Sequence, residues 1–192
     1  MMMKKLFSLI LLAALACLPA LAEEPSEEKL SDDDTATFIH ELYESDVDDT
    51  YNVSTDLTVK FDELFTLTIP ADWQRYNLTE QQAEQGMIVC YGDGRHFMFI
   101  GRRDDDGAYA DMQEYAMTLG MGDQPYASIF VSQFGGQDFT LYTDYKMMSS
   151  DCATIFPGKY VYTFYFYPAD GDMTFAQTVI DLMNTFKPMQ TK

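Results

Sequence analysis

Basic side chains are scarce in this chain. Lys and Arg number 12 against 31 Asp and Glu, a formal net charge of −19 and a sequence pI near 4.1. So negative a surface repels nucleic acid and anionic lipid, which excludes polyanion binding. Histidine is rarer still: His40 and His96 are the only two, so any imidazole base or metal site must use one of them. Cysteine occurs three times and never as C-x-x-C, which removes support for dithiol redox chemistry. There is no H-E-x-x-H, no clustered His/Cys ligand set, no Walker loop, no GxGxxG after a strand and no G-x-S-x-G elbow. Zinc hydrolysis, nucleotide chemistry and elbow-type acyl transfer therefore lack the residues they need.

What is present is a core. Of 192 residues, 47% are hydrophobic and 15% aromatic, enough to fold one ordinary domain and too apolar for a disordered chain. The first 22 residues read as an address. Lys4 and Lys5 precede the apolar run Leu6 to Leu18, and Ala20, Leu21 and Ala22 supply a small-residue cleavage site. That run falls short of the roughly 20 residues a transmembrane helix needs, so secretion or cell-surface display after cleavage near Ala22 is expected. Lipid anchoring at Cys17 fits less well, because Leu15 stands two positions before the cysteine rather than three. Loss of the leader removes two lysines and no acid, taking the net charge to −21. It also leaves an even pair, Cys90 and Cys152, in a compartment where disulfides form. A bridge between them would contribute about 4 kcal/mol in the chain-entropy picture; the other reading is two buried thiols acting as small hydrophobes.

Residues 23 to 60 read as an acidic linker followed by a poorly defined segment. EEPSEEKLSDDD is a solvated tether, Thr35 to Tyr43 is a candidate short helix, and Asp46, Asp48 and Asp49 lie in a solvated loop. The sequons at Asn52 and Asn77 read as accidental. The domain proper is expected over 61 to 188. Phe65, Leu67 and Ile69 alternate with threonines and stop at Pro70, a half-buried strand with Trp73 just beyond it. Met87 to Tyr91 and His96 to Gly101, joined by Gly92 to Arg95, form an antiparallel hairpin. Ala108 to Leu119 repeats apolar residues at helical spacing and stops at Gly120. Ser128 to Ser132, Phe139 to Tyr145, Asp151 to Phe156 and Tyr160 to Tyr167 then form an antiparallel meander. A last amphipathic helix covers Thr174 to Lys187 and ends at Pro188. Because Tyr160 to Tyr167 is apolar on both faces apart from Thr163, the sheet is covered on both sides. The expected fold is α/β (α+β), a three-layer α/β/α sandwich on a mostly antiparallel sheet.

This order resembles the PsbP-like family, carried by Phe65, Leu67, Ile69, Pro70 and Trp73 at the front and Phe175 to Lys187 at the back. The chain is similar to small exported PsbP-like proteins of gut bacteria that have no assigned function. The resemblance implies a binding or accessory module and not an enzyme, acting on a protein or glycan. A monomer without a cofactor is expected. A secreted hydrolase using paired carboxylates is the alternative, since 31 acids offer many pairs.

Three constellations bear on a site. Tyrosines concentrate in the C-terminal strands; most belong to the core, but Trp73, Tyr76, Tyr126 and Tyr142 are candidates for a partly exposed patch that binds a peptide or glycan. Asp104, Asp105 and Asp106 are hard ligands that suit adventitious calcium. EF-hand spacing fails there, because with Gly107 as the loop glycine Arg102 falls at the first ligand position and Gln113 at the last. A cap on the following helix by Asp106 is the structural alternative. His96 stands about 20 Å of strand away from Arg102, Arg103 and Asp104, so the two ends cannot act together, and His96 reads as an edge or surface histidine.

Overall fold

The computed structural model describes residues 46–48, 56–121, 126–168 and 173–189. The leader, Cys17, the acidic linker, the helix expected over Thr35 to Tyr43, His40, Asp49 and Asn52 lie outside the described residues.

Five strands are short or early: β1 (Leu57–Phe61), β2 (Phe65–Ile69), β3 (Gln74–Tyr76), β4 (Met87–Gly92) and β5 (Phe97–Asp104). After them come β6 (Tyr126–Phe134), β7 (Gln137–Asp144), β8 (Ser149–Phe156), β9 (Tyr160–Tyr167) and the two-residue β10 (Lys187–Pro188). The helices are α1 (Glu80–Glu84), α2 (Met112–Gly120) and α3 (Met173–Met183). Seven strands form one sheet in the order β3-β4-β5-β9-β8-β7-β6. All its pairings are antiparallel, with the expected hairpin at one side and the expected meander at the other. The strand read from Phe65, Leu67 and Ile69 does not join it. Instead β2 pairs with β1 and β10 in a second, three-stranded sheet.

Strand β9 sits in the middle of the large sheet and its two faces feed different cores. Tyr162, Phe164 and Phe166 pack with Phe65, Leu67 and Ile69 of β2, Trp73, Met98, Ile100, and Leu182, Met183 and Phe186 from α3 and just beyond it. Phe65 is fully buried and stacks on Phe186 at 4.8 Å and on Phe61 at 5.0 Å. The opposite face carries Val161 under α2, where Met112 and Tyr115 cover Tyr142, Ala153 and Ile155, while Phe97, Phe99 and Tyr167 pack with Tyr76, Met87 and Cys90. The expected sandwich therefore stands, with one outer layer built from both α3 and the small sheet.

Local chemistry sets the boundaries. Helix α2 starts at Met112 rather than Ala108 because Asp111, not Asp106, is its N-cap, accepting from the amides of Gln113 and Glu114 at 2.9 Å each. The short α1 is nucleated by a capping box: Thr79 Oγ1 accepts from the Gln82 amide while the Thr79 amide donates to Gln82 Oε1. A polar clamp fastens the small sheet to the large one. Asp62, in the β1–β2 turn, accepts from Arg102 Nη1 at 2.7 Å and from the Tyr162 hydroxyl. Arg102 also lies over the Tyr160 ring at 4.7 Å.

Candidate functional site

A cleft of about 600 Å³ opens where four segments meet. The β4–β5 turn contributes Asp93, Arg95 and His96; the end of β2 and the turn after it contribute Thr68, Pro70, Asp72 and Trp73; α3 contributes Thr178, Asp181 and Leu182, and the turn after it Thr185; and Asp56 closes the side before β1. Each wall is fixed by its own sequence. Pro70 stops β2, and the Trp73 amide donates back to the Pro70 carbonyl at 3.1 Å, turning the indole inward until Trp73 is 2% exposed. The Ala71 amide donates to Asp56 Oδ1, tying the two acidic sides together. Just past α3, Thr185 Oγ1 accepts from the Thr68 amide at 2.9 Å and donates to the Leu182 carbonyl at 2.7 Å. That hydroxyl is committed to holding the helix on β2.

The β4–β5 turn holds the most ordered polar group. Asp93 Oδ1 accepts from the amides of Arg95 at 2.8 Å and His96 at 2.6 Å, and Asp93 Oδ2 lies 3.2 Å from His96 Nδ1. Partial burial pushes the Asp93 carboxyl up, but the two amides and the imidazole outweigh it and hold the carboxyl below the usual carboxylate range. His96 is thereby oriented at the cleft wall and is buried, not the surface histidine the sequence suggested. Gly92 makes the tight approach: a Cβ there would stand 2.4 Å from the His96 carbonyl oxygen. The cleft thus presents four carboxylates against one guanidinium and one imidazole, and it is built to receive positive charge.

The residues singled out from sequence fall elsewhere, with the exception of Trp73. Trp73, Tyr76, Tyr126 and Tyr142 do not form a patch. Trp73 belongs to the core under the small sheet, whereas Tyr76 and Tyr142 end a lateral row on the other face. That row runs Tyr76, Cys90, Phe99, Tyr165, Asp151, Tyr142 across six strands in register. Five strand spacings separate its ends by about 24 Å. Tyr142 is buried and packs edge-on against Tyr126 at 5.3 Å; burial pushes the Tyr126 hydroxyl up to about 12.

Cys90 and Cys152 are free and buried, so the bridge is not made. They lie on opposite faces of the large sheet and on β4 and β8, three spacings or about 14 Å apart, beyond the reach of a disulfide. Burial pushes both thiols far up, so they act as small hydrophobes.

Asp104, Asp105 and Asp106 do not converge. Asp105 accepts from the amides of Gly107 and Gly158 and Asp106 from that of Ala108, which ties the acids into the turn. Among the described residues no group of three or more His, Cys, Asp and Glu side chains could hold a metal ion.

Sequence reasoning passed over Asp151. It is 2% exposed, in the middle of that aromatic row, and its Oδ1 has no hydrogen-bond partner. Burial pushes its carboxyl well above the usual range, and nearby Asp144 adds to the rise while the hydroxyls of Ser149 and Tyr142 oppose it.

No protein-family model matches the sequence, and no curated protein is significantly similar to it. Among solved structures the chain is similar to cyanobacterial PsbP (CyanoP) from Synechocystis sp. PCC 6803, with a TM-score of 0.50 and 10% identity. The match covers 71% of this chain and 94% of that one. Among the described residues no helix is long and apolar enough to cross a membrane. The small sheet, the seven-stranded sheet and the helices on both sides of it are thus those of a PsbP-like α+β fold.

Proposed function

We propose that the chain is an exported, non-catalytic binding domain whose acidic cleft receives a basic group presented by a protein partner. In this reading it belongs with the small exported PsbP-like proteins of gut bacteria, works as a monomer after cleavage near Ala22 and needs no cofactor. The observation that carries it is the convergence of Asp56, Asp72, Asp93 and Asp181 on one cleft beside the Trp73 wall. The PsbP-like fold is compatible with an accessory role, although fold alone assigns none.

The test is calorimetric titration of the full chain with a short Lys/Arg peptide at low and moderate salt. Neutralising Asp72 and Asp181 together as asparagines should weaken binding about ten-fold, from roughly 0.5 to 1 kcal/mol per exposed charge, and raised salt should weaken it further. Asp104→Asn with Asp106→Asn, equal in charge but outside the cleft, should leave it unchanged. Equal binding by the two double variants overturns the reading.

The alternative, a secreted carboxylate-dependent hydrolase, draws support from the oriented Asp93–His96 pair at the same wall. It requires a cleft carboxyl held protonated to act as the acid. Asp93 is held down instead, and the carboxyl that is pushed up, Asp151, lies outside the cleft lining.

A further inference from the structure

Strand β6 ends the seven-stranded sheet, and among the described residues nothing pairs with its outer edge. Edge strands are commonly protected by charge, proline or brevity. This one has nine residues, YASIFVSQF, with no charge and no proline in a protein of net charge −19. The opposite edge is the three-residue β3, which the isolated bridge from Val47 to Tyr76 already covers. A register shift between Ala127 and Phe130, with Ser128 at φ 53°, breaks the outer edge near its start. From Phe130 to Phe134 the ladder is regular.

The hairpin fixes which groups point outward. Gly135 and Gly136 both have positive φ, 58° and 84°, as a two-residue type I′ turn requires. Its closing pair, Phe134 and Gln137, exchanges ladder bonds with β7, so alternation puts Ser132 and Phe130 in the ladder and turns the N–H and C=O of Val131 and Gln133 outward. The two flanks of this edge differ. On the small-sheet side Phe130 is 53% exposed. On the α2 side lies Asp138, which accepts from Gln133 Nε2 at 2.6 Å.

We propose that β6 is a docking edge for an extended segment of a partner protein, one that alternates apolar residues on the Phe130 side with Lys or Arg on the Asp138 side. Main-chain bonds to Val131 and Gln133 supply the register, and Asp138 with the acidic surface selects the charge. A second copy of this chain is disfavoured at the same edge, because each copy carries a net charge of −19 and the two repel.

The probe is an acetylated eight-residue peptide alternating valine and lysine, added to the full chain and followed by fluorescence anisotropy and amide hydrogen exchange. The peptide should bind, slow the exchange of the Val131 and Gln133 amides, and bind at least ten-fold more tightly than its valine–glutamate counterpart. Gln133→Pro removes an outward donor and leaves the β6–β7 ladder intact; it should lose at least ten-fold in affinity. Phe130→Lys, which leaves the backbone alone, should lose several-fold and serves if the proline variant does not fold. Neutralising Asp72 and Asp181 weakens lysine binding at the cleft but should leave the exchange protection of the Val131 and Gln133 amides unchanged, which separates this edge from the cleft. Unchanged binding by both edge variants, equal binding of the two peptides, or loss of that protection in the cleft variant overturns the proposal. So does a concentration-dependent dimer of the wild type that Gln133→Pro abolishes, since the occupant is then a second copy.

Discussion

Two adjacent glycines with nearly the same backbone allow a controlled test of how the small sheet is seated. Gly135 and Gly136 both occupy positive φ, so an alanine at either incurs the left-handed penalty of about 1 to 2 kcal/mol. Their surroundings differ. A Cβ on Gly136 meets nothing within 4 Å, whereas one on Gly135 would stand 2.4 Å from the Phe186 carbonyl oxygen and 3.0 Å from Pro188 Cδ. Phe186 cannot retreat cheaply, because it is 1% exposed and wedged between Phe65 at 4.8 Å and Phe139 at 4.9 Å. Overpacking at such a place costs about 1 to 3 kcal/mol more. Gly136→Ala should therefore lose about 1 to 2 kcal/mol and Gly135→Ala about 2 to 5 kcal/mol. Urea unfolding followed by far-UV circular dichroism reads this as two midpoints at a common slope. In a domain of this size the gap should also appear as about 2 to 12 °C between the melting temperatures. If the two variants lose the same stability, the β6–β7 turn does not abut the segment after α3, and the account of how the small sheet is held is wrong.

Three further outcomes are expected. Asp151 is neutral in the folded chain and ionised in the unfolded one, so stability falls by about 1.4 kcal/mol per pH unit from about pH 4 up to its raised folded pKa. The groups facing it are Asp144, Ser149, Tyr115, Tyr126, Tyr142, Tyr165 and Tyr167. Relative to wild type, Asp151→Asn should gain stability as pH rises above about 4, and a difference independent of pH in chemical denaturation would refute it. Asp62 works in the opposite sense. Burial pushes it up, but Tyr162 and Arg102 outweigh that and hold it down, so its contribution is present above about pH 4 and is lost as pH falls through the lowered value. With about a third of each partner exposed, Asp62→Asn should lose only about 1 kcal/mol at pH 7 and progressively less as pH falls below about 4, measured by the same titration. Cys90 and Cys152 should resist alkylation until the chain unfolds, and reductant should leave the melting temperature unchanged, whereas a drop on reduction would mean that the thiols are bridged.

The parts of the fold that could be read in advance are those where side-chain period and turn chemistry act locally. The β4–β5 hairpin, the meander and the two-faced burial of β9 follow from alternation and from glycine-bearing turns, and each appears at its place within a few residues. The departure of β2 to a separate sheet is invisible in FTLTI itself, because its partners are β1 and a two-residue strand more than 110 positions away. Helix α1 was legible in principle: Thr79 followed three residues later by Gln82 is a capping signature, passed over because no apolar repeat accompanies it. The start of α2 was misplaced because Asp106 and Asp111 are equally good caps in sequence, and only the packing of Met112 on the sheet chooses between them.

The site was legible in kind and not in place. An excess of acids predicts a negative surface, yet the four that share the cleft come from Asp56, Asp72, Asp93 and Asp181, which no spacing rule unites. They meet because Pro70 stops β2 and the Trp73 turn tucks under β4–β5, while Thr185 pins α3 to the same strand. In the run that looked most like ligands, Asp104 to Asp106, the carboxylates of Asp105 and Asp106 are consumed by backbone amides, because acids in a turn satisfy that turn first. Aromatic clustering misled for a related reason. Alternation put Tyr165 and its neighbours on the correct face, but a face covered by α2 offers no patch, and the polar group it does enclose, Asp151, stands alone among apolar and aromatic neighbours in the lateral row. A lone acid between Ser150 and Cys152 carries no signal in the sequence. It becomes visible only once the register sets Tyr142 on one side of it and Tyr165 on the other, and the upward displacement of its titration is therefore a sharp test of that register.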